Sequence, residues 1–221
     1  YMVETKIIIL DQQEIVYKIH YKRIKNCYLR VEKGEVVIRC SPLFPQSEIE
    51  KLIRNHQEEI LEQIKGYVPK YNYQEDGYVY LFNQKYQIVL KDMNIKKCAI
   101  HDRQIYVYSK NIQATIEMFL KQELMNYLKE RIDFYLSTSF HHVFPEIQIK
   151  KMKRRWGACF YQKNRVCFNL VLAHIDYALI DYVIVHELCH FLEANHSKAF
   201  YHEIEKRMPD YKERERLLKD V

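Results

Sequence analysis

Two histidines and a glutamate in the second half of the chain have the spacing of metal ligands and a base. The run is His186-Glu187-Leu188-Cys189-His190, and His196 follows six residues later. On a helix, residues four apart lie one turn above each other, so the imidazoles of His186 and His190 can reach the same ion. Glu187 lies beside them and can hold a metal-bound water without being a ligand. Zinc peptidases use this arrangement to activate water near neutral pH.

The segment before the motif predicts a helix that is buried on all sides. Residues 178–185 are apolar except for Asp181. Buried imidazoles and carboxylates need partners, and one metal ion meets that need more simply than separate hydrogen bonds would. We expect Asp181 to bind a buried partner, with Arg155 as the candidate for a bidentate pair, and to support the metal site from outside its ligands. A surface position for Asp181 is the alternative.

His196 is the predicted third ligand, and its position requires the helix to end before it. In an unbroken helix, His196 would be rotated by about 240° from His190 and would point away from the ion. A turn at residues 193–195 can end the helix, since Asn195 tolerates a left-handed conformation, and Ser197 can cap the next helix. Three residues of that next helix are alternative third ligands: His202, Glu203 and Glu205.

The composition is that of a globular protein and argues against several classes. Of the 221 residues, 48% are hydrophobic, and no apolar run approaches the roughly 20 residues of a membrane span. The N-terminus lacks a basic segment followed by a long apolar one, so we expect a cytoplasmic protein. The six cysteines form no C-x-x-C pair, which argues against a zinc knuckle and a secreted disulfide framework. Cys189 is expected to pack within its helix rather than to bind metal.

One local cluster of positive charge is present in the sequence. The net charge of +6 is shared evenly between the two halves of the chain. The overall charge therefore does not indicate a nucleic-acid-binding protein. One basic cluster lies upstream of the predicted hairpin: Lys150, Lys151, Lys153, Arg154 and Arg155. This cluster could bind nucleic acid, or it could be a solvated strand edge protected by charge.

Residues 1–109 predict a β-rich N-terminal module with one helix. Alternating apolar and polar residues between positions 6 and 40 indicate two antiparallel hairpins. Ser47 and Glu50 are typical of a capping box, which would open a helix over residues 48–65. Further strands are expected in three ranges: 78–83, 86–91 and 104–108.

Residues 110–221 predict helices around a small antiparallel sheet. Asn111 would cap a long helix over residues 112–136, whose apolar positions recur at intervals of three and four. A hairpin with its turn at residues 161–164 follows, and Asp176 would cap the metal-binding helix. Two C-terminal helices come last. We therefore predict an α+β fold, with the β-rich module first and the catalytic half second.

Five segments carry a resemblance to a known family: residues 153–159, 169–170, 180–190, 195–200 and 209–212. Together they resemble the YgjP-like family of predicted metal-dependent peptidases and, more loosely, the SprT-type proteases of DNA–protein crosslink repair. The resemblance implies a zincin-like domain with zinc on His186, His190 and His196 and with Glu187 as the base. Ala158 departs from the expected Ser, and Tyr201 departs from the frequent Trp.

We predict a zinc-dependent metallopeptidase with one zinc ion per chain, a peptide or protein substrate and no membrane partner. The substrate is expected to lie extended along an edge strand of the hairpin that ends near Leu170. Stabilising the oxyanion requires a donor besides zinc, and four residues are candidates: Arg155, Tyr201, His202 and Tyr211.

Two other functions compete with a general peptidase. One is a protease that acts on nucleic-acid-bound proteins through the basic cluster. The other is a non-catalytic binding module in which zinc has only a structural role and holds the helices together. The intact Glu187 argues against the binding module, because a structural zinc site gains nothing from a carboxylate that is not a ligand.

Overall fold

The computed structural model describes residues 3–67, 69, 71–93 and 95–219. Within these ranges the chain forms six α-helices and three small sheets, which confirms the predicted α+β class. The chain divides into two units, Tyr1–Pro69 and Lys70–Val221. Each unit has its own cluster of buried apolar side chains.

The first unit is built on a four-stranded sheet. Its strands are β1 (Val3–Leu10), β2 (Gln13–Tyr21), β3 (Tyr28–Glu32) and β4 (Glu35–Cys40). Both predicted hairpins are present and antiparallel, and parallel pairing of β2 with β4 joins them in the order β1-β2-β4-β3. Alternate residues of β2 are buried, so the sheet has one apolar face to cover.

Two helices follow the first sheet where the sequence predicts one. They are α1 (Gln46–Asn55) and α2 (Gln57–Gly66), separated at His56, where φ is −113° and ψ is 21°. The predicted capping box is wrong. Pro45 is the N-cap, and Glu50 instead accepts a hydrogen bond from the Nε2 atom of Gln46 at 2.8 Å. Pro45 starts the helix two residues early, so Ser47 already lies inside the first turn.

The second unit begins with a five-stranded sheet. The strands are β5 (Tyr71–Asn72), β6 (Tyr78–Leu81), β7 (Gln84–Leu90), β8 (Lys97–His101) and β9 (Gln104–Tyr108), in the order β5-β6-β7-β9-β8. The sequence misses β5, which has two residues, and β8, which is almost wholly exposed and shows no buried alternation. Buried residues of this sheet belong to the same core as the helices that follow. The boundary predicted between residues 109 and 110 therefore lies inside the second unit.

Four helices complete the second unit: α3 (Ile112–Tyr135), α4 (Tyr177–Cys189), α5 (Lys198–Arg207) and α6 (Tyr211–Lys219). Three predicted caps are confirmed. The side chains of Asn111, Asp176 and Ser197 accept hydrogen bonds from backbone N–H groups in the first turns of α3, α4 and α5. Among the described residues, none of the helices combines the length and apolar character needed to span a bilayer.

A third sheet lies between α3 and α4 in the sequence. Its strands are β10 (Glu146–Lys150), β11 (Gly157–Phe160) and β12 (Arg165–Asn169), in the order β10-β12-β11. The predicted hairpin is present as β11–β12 and closes at Asn164, which is left-handed with φ 44°. The sheet is mixed rather than antiparallel, because β10 pairs parallel with β12. The loop 151–156 connects β10 to β11, which lie on opposite sides of β12. β11 is therefore an edge strand of the sheet.

Asp181 fastens α4 to α3 and does not bind Arg155 as predicted. The Nε and Nη2 atoms of Arg131 donate to its carboxylate at 3.0 and 2.7 Å. The hydroxyls of Tyr127 and Tyr135 donate to the same carboxylate at 2.8 and 3.1 Å. These four bonds commit the Asp181 carboxylate to α3, so the predicted role in supporting the metal ligands is replaced by a structural one.

Replacing Asp181 tests the contribution of this pair to stability. Asp181→Ala should lower the free energy of unfolding by about 3 kcal/mol, because it leaves the partly buried Arg131 guanidinium without its counter-charge. Denaturant-induced unfolding of the full chain measures the change.

Asp133→Ala is the matched control, since Asp133 is an exposed acid of α3. It should change the free energy of unfolding by less than about 0.5 kcal/mol. If the two substitutions had equal effects, the bonds to Asp181 would make no net contribution to stability.

Candidate metal centre

The three predicted histidine ligands lie together at the C-terminal end of α4. One nitrogen from each of His186, His190 and His196 lies within 4.8 Å of the others. The Nε2 atoms of His186 and His196 are 3.0 Å apart, although the residues are ten positions apart in the sequence. Within the described part of the chain, this is the one group of His, Cys, Asp or Glu side chains that could hold a metal ion.

The helix ends between the second and third histidines, as the position of His196 requires. The last helical residue of α4 is Cys189, and its carbonyl accepts hydrogen bonds from the N–H groups of Leu192 and Glu193, each at 2.9 Å. The expected left-handed Asn195 is not found, because no described residue between positions 190 and 197 has a positive φ. The turn instead closes on the Cys189 carbonyl, and Ser197 then caps α5.

Hydrogen bonding to the backbone orients one of the imidazoles, that of His190. The Nδ1 atom of His190 donates to the carbonyl of Glu193 at 3.2 Å, which leaves its Nε2 atom as the one that can accept a metal. The Nδ1 atom of His186 is buried and has no hydrogen-bond partner among the described residues. His186 therefore depends on its Nε2 atom for a polar partner, and that atom faces His196.

Burial favours the neutral form of His186 and His190. It lowers the pKa of His186 to about 4, and the nearby His190 and His196 act in the same direction. Burial also lowers the pKa of His190, although the bond to the Glu193 carbonyl partly opposes this. Because metal binds the neutral imidazole, neither histidine has to lose a proton to bind metal at neutral pH.

Phe200 of α5 packs against all three imidazoles. Its ring centroid lies 5.0 Å from that of His186, 4.6 Å from that of His190 and 4.8 Å from that of His196. The Phe200 side chain is fully buried, so it is a packed surface against which the three histidines lie. The sequence analysis did not assign Phe200 to the site. Its position four residues after His196 was the available signal.

Glu187 lies next to the histidines but is held by β11 rather than by the ligand cluster. Only 6% of the residue is exposed. Burial raises the pKa of its carboxyl to about 8, while a hydrogen bond from the backbone N–H of Cys159 and the charge of Arg155 act to lower it. Gly157 of β11 also lies directly against the Glu187 side chain.

The histidines and Glu187 face an open cavity of about 620 Å³. Residues 155–159 form one wall, and Tyr182 and Val183 of α4 form another. Three residues of α6 also line the cavity: the apolar Leu218 and the charged Glu215 and Lys219. The walls thus combine apolar surface with a few polar groups, which is typical of a substrate site.

The predicted oxyanion donors are dispersed around this cavity. Among the described residues that line it, Arg155 is the only one of the four. Tyr201 lies farther out, with its ring centroid 6.3 Å from that of His196 and 6.1 Å from that of Tyr211. His202 is exposed on α5.

Two tyrosines that the sequence analysis did not select, Tyr161 and Tyr182, also line the cavity. Tyr182 lies four residues before His186, and this helical spacing was the signal that placed it on the same face of α4.

The alternative metal ligands have other partners or positions. Glu203 accepts bonds from Lys206 and Arg207, each at 2.6 Å, and Glu205 is exposed. Cys189 is fully buried, and burial raises the pKa of its thiol to about 12, so the thiolate that a metal requires is disfavoured. The packing role expected for Cys189 agrees with this position.

Comparison with known proteins defines the class. Residues 25–221 match the model of a family described as YgjP-like, metallopeptidase domain. The chain is therefore a metal-dependent peptidase, and it belongs to the YgjP-like metallopeptidase family. No curated protein matches the sequence.

Two solved structures are similar over a smaller part of the chain. The metallopeptidase zymogen of Pyrococcus abyssi abylysin is 17% identical, with a TM-score of 0.39, over 42% of this chain and 94% of that chain. The metallopeptidase zymogen of Methanocaldococcus jannaschii jannalysin is 24% identical, with a TM-score of 0.38, over the same shares of the two chains.

Replacing His196 tests whether it is the third ligand. His196→Ala should weaken metal binding by at least about 100-fold, because loss of a supporting group alone costs 10- to 100-fold in metal sites. Elemental analysis together with competition against a chelator measures the affinity.

His202→Ala is the matched control, since His202 is an exposed histidine of α5 outside the cluster, and it should keep the metal. Full metal occupancy in the His196→Ala protein would exclude His196 as a ligand.

Proposed function

We propose that this protein is a zinc-dependent peptidase in which His186, His190 and His196 hold one zinc ion and Glu187 is the general base. One observation carries the proposal: three imidazole nitrogens lie within 4.8 Å of one another beside a buried carboxylate that is not one of them. A structural zinc site would be closed by a fourth protein ligand, whereas three ligands leave a position for water or substrate.

The donor set and its spacing support zinc. Imidazole nitrogens suit zinc among the common biological metals. Two nitrogens bound to tetrahedral zinc at about 2.0–2.1 Å would lie about 3.3 Å apart, and the Nε2 atoms of His186 and His196 are 3.0 Å apart. When bound, zinc would supply a Lewis acid that polarises the peptide carbonyl, lowers the pKa of a water to about 7 and favours the ionised form of Glu187.

Glu187 moves the proton in the proposed reaction. Its carboxylate accepts a proton from the attacking water and delivers it to the leaving amine, so one group acts as base and then as acid. Burial makes this carboxylate a better proton acceptor than a solvated one, because it raises the pKa toward neutrality. The hydrogen bond from the Cys159 N–H acts against the effect of burial and favours the ionised carboxylate that accepts the proton.

Arg155 and β11 are the proposed contacts for the substrate. Arg155 lines the cavity, and its guanidinium can donate to the developing oxyanion. β11 also lines the cavity, and one of its edges is not paired with any strand that the structure describes. An extended peptide can pair with that edge main chain to main chain, which makes cleavage tolerant of sequence. The Cys159 N–H is bound to Glu187, so the pairing uses the other groups of the edge.

Replacing Glu187 with glutamine tests the base. Glu187→Gln keeps the shape of the side chain and removes the proton acceptor, so turnover of a peptide substrate should fall by roughly 10² or more. A peptide that the wild-type protein cleaves is first selected from a peptide library. Steady-state kinetics on this peptide measures the turnover, and the metal content is measured on the same sample. The variant should retain its metal and still bind peptide.

Two outcomes of this experiment would contradict the proposal. Loss of metal in Glu187→Gln would mean that Glu187 is a ligand or supports one. Unchanged turnover would mean that another group is the base.

Action on nucleic-acid-bound proteins remains a prediction about the basic cluster. One of its five members, Lys151, is paired with Glu117 at 2.6 Å, which reduces the free positive charge. We expect weak or no binding to DNA. Titration of labelled DNA at several salt concentrations tests this, with the Lys150→Ala, Lys151→Ala, Lys153→Ala triple variant as the comparison. A submicromolar, salt-sensitive affinity that the triple variant lacks would favour the crosslink-repair type of protease.

A further inference from the structure

We propose that Gly157 is a positioning residue for Glu187, and that the loop before it is anchored by Asn169 for this purpose. The inference rests on the role of Glu187 proposed above. It adds that the carboxylate is held by the shape of β11, at a position where no side chain other than hydrogen fits. Neither residue is a metal ligand, and both act through Glu187.

The contact between Gly157 and Glu187 excludes a Cβ atom. A Cβ built on Gly157 would lie 2.5 Å from Oε1, 2.7 Å from Cγ and 2.8 Å from Cδ of Glu187. Non-bonded carbon atoms pack at about 3.5–4.0 Å, so the outer half of the glutamate side chain would have to move. Glu187 is only 6% exposed, so such a movement would take the carboxylate out of its buried position beside β11.

The backbone conformation does not by itself require glycine at this position. Among the described glycines, only Gly34 has a positive φ, and Gly157 lies within the regular strand β11. An alanine could adopt this strand conformation without strain. The close approach of Glu187 is therefore the physical reason for glycine at position 157.

β11 both makes room for the carboxylate and binds it. Gly157 and Cys159 are two residues apart on one strand, so their corresponding backbone groups face the same way. Gly157 provides the space, and the N–H of Cys159 donates to the carboxylate. Among the described strands β11 pairs only with β12, so the backbone groups on its other edge are available for this bond.

Asn169 fixes the loop that leads into Gly157. Its Nδ2 atom donates to the carbonyls of Met152 and Arg155 at 2.8 and 2.9 Å. Its Oδ1 atom accepts from the N–H groups of Met152 and Val171 at 3.2 and 3.3 Å, and its own N–H donates to the carbonyl of Trp156 at 2.8 Å. The side chain is buried and uses both amide hydrogens and both acceptor sites. These bonds tie the loop 151–156 to the end of β12 and so determine where the backbone of Gly157 lies.

Gly157→Ala is the direct test. It should lower kcat by about 10- to 100-fold, because a displacement of about 1 Å at a catalytic group costs up to that much, while metal content and KM stay near the wild-type values. A merely structural glycine would affect thermal stability without this separation of kcat from KM. Gly66→Ala is the matched control, since none of the described residues lies within 4 Å of a Cβ at Gly66 and the residue belongs to the first unit. Its kcat should be unchanged.

A double-mutant cycle shows whether the effect passes through Glu187. In the Glu187→Gln background, Gly157→Ala should cause no further loss of kcat, because the base is already absent. An equal fold-loss in both backgrounds, or an unchanged kcat in Gly157→Ala alone, would overturn the inference. Failure of the proposed function is seen separately, as an unchanged turnover in Glu187→Gln alone.

Asn169→Asp keeps the inference testable if Gly157→Ala does not fold or loses its metal. Aspartate has the size of asparagine but places an acceptor against the carbonyls of Met152 and Arg155, so the loop should shift. We expect a lower kcat with metal retained, and no further loss in the Glu187→Gln background. If Asn169→Asp kept full kcat, or lost the same fraction in both backgrounds, Asn169 would not act through Glu187.

Discussion

A buried helix that carries acidic and imidazole side chains must satisfy each of them inside the protein, and the second unit is arranged around this requirement. α4 is apolar on nearly all of its surface, yet it carries Asp181, His186 and Glu187, and His190 is its C-cap. Each of these groups would cost several kcal/mol if it were buried without a partner. The neighbouring elements supply the partners, and the contacts that satisfy α4 are the same contacts that assemble the unit.

Each polar side chain of α4 joins the helix to a different neighbour. Asp181 binds Arg131 and two tyrosines of α3. Glu187 binds the Cys159 N–H of β11. The histidines meet His196 and pack on Phe200 of α5. Asp181, Glu187 and the proposed ligand His186 therefore lie on one rigid element, which keeps this histidine and the carboxylate in a constant relation to each other.

Burial has opposite consequences for the two kinds of titratable group at the site. It lowers the pKa of His186 and raises that of Glu187, because it disfavours the charged form in both cases. The imidazole is thereby kept in the form that binds metal, and the carboxylate becomes more basic than a solvated glutamate. A single physical effect thus prepares the proposed ligand and the proposed base for different roles.

The sequence alone determined those parts of the protein that depend on residues close to one another in the chain. The spacing of His186 and His190, the caps at Asn111, Asp176 and Ser197, and the end of the helix before His196 follow from helix geometry and from local hydrogen bonds. Only the tertiary structure decided which distant groups meet. It gave Asp181 the partner Arg131 instead of Arg155, paired β10 parallel with β12, and joined the sheet of residues 71–108 to the helices in one core. It also placed Gly157 against Glu187, thirty positions away in the sequence. A hydrophobic pattern shows which face of an element is buried, but many partners can cover that face, and the choice is made by the packing of the whole unit.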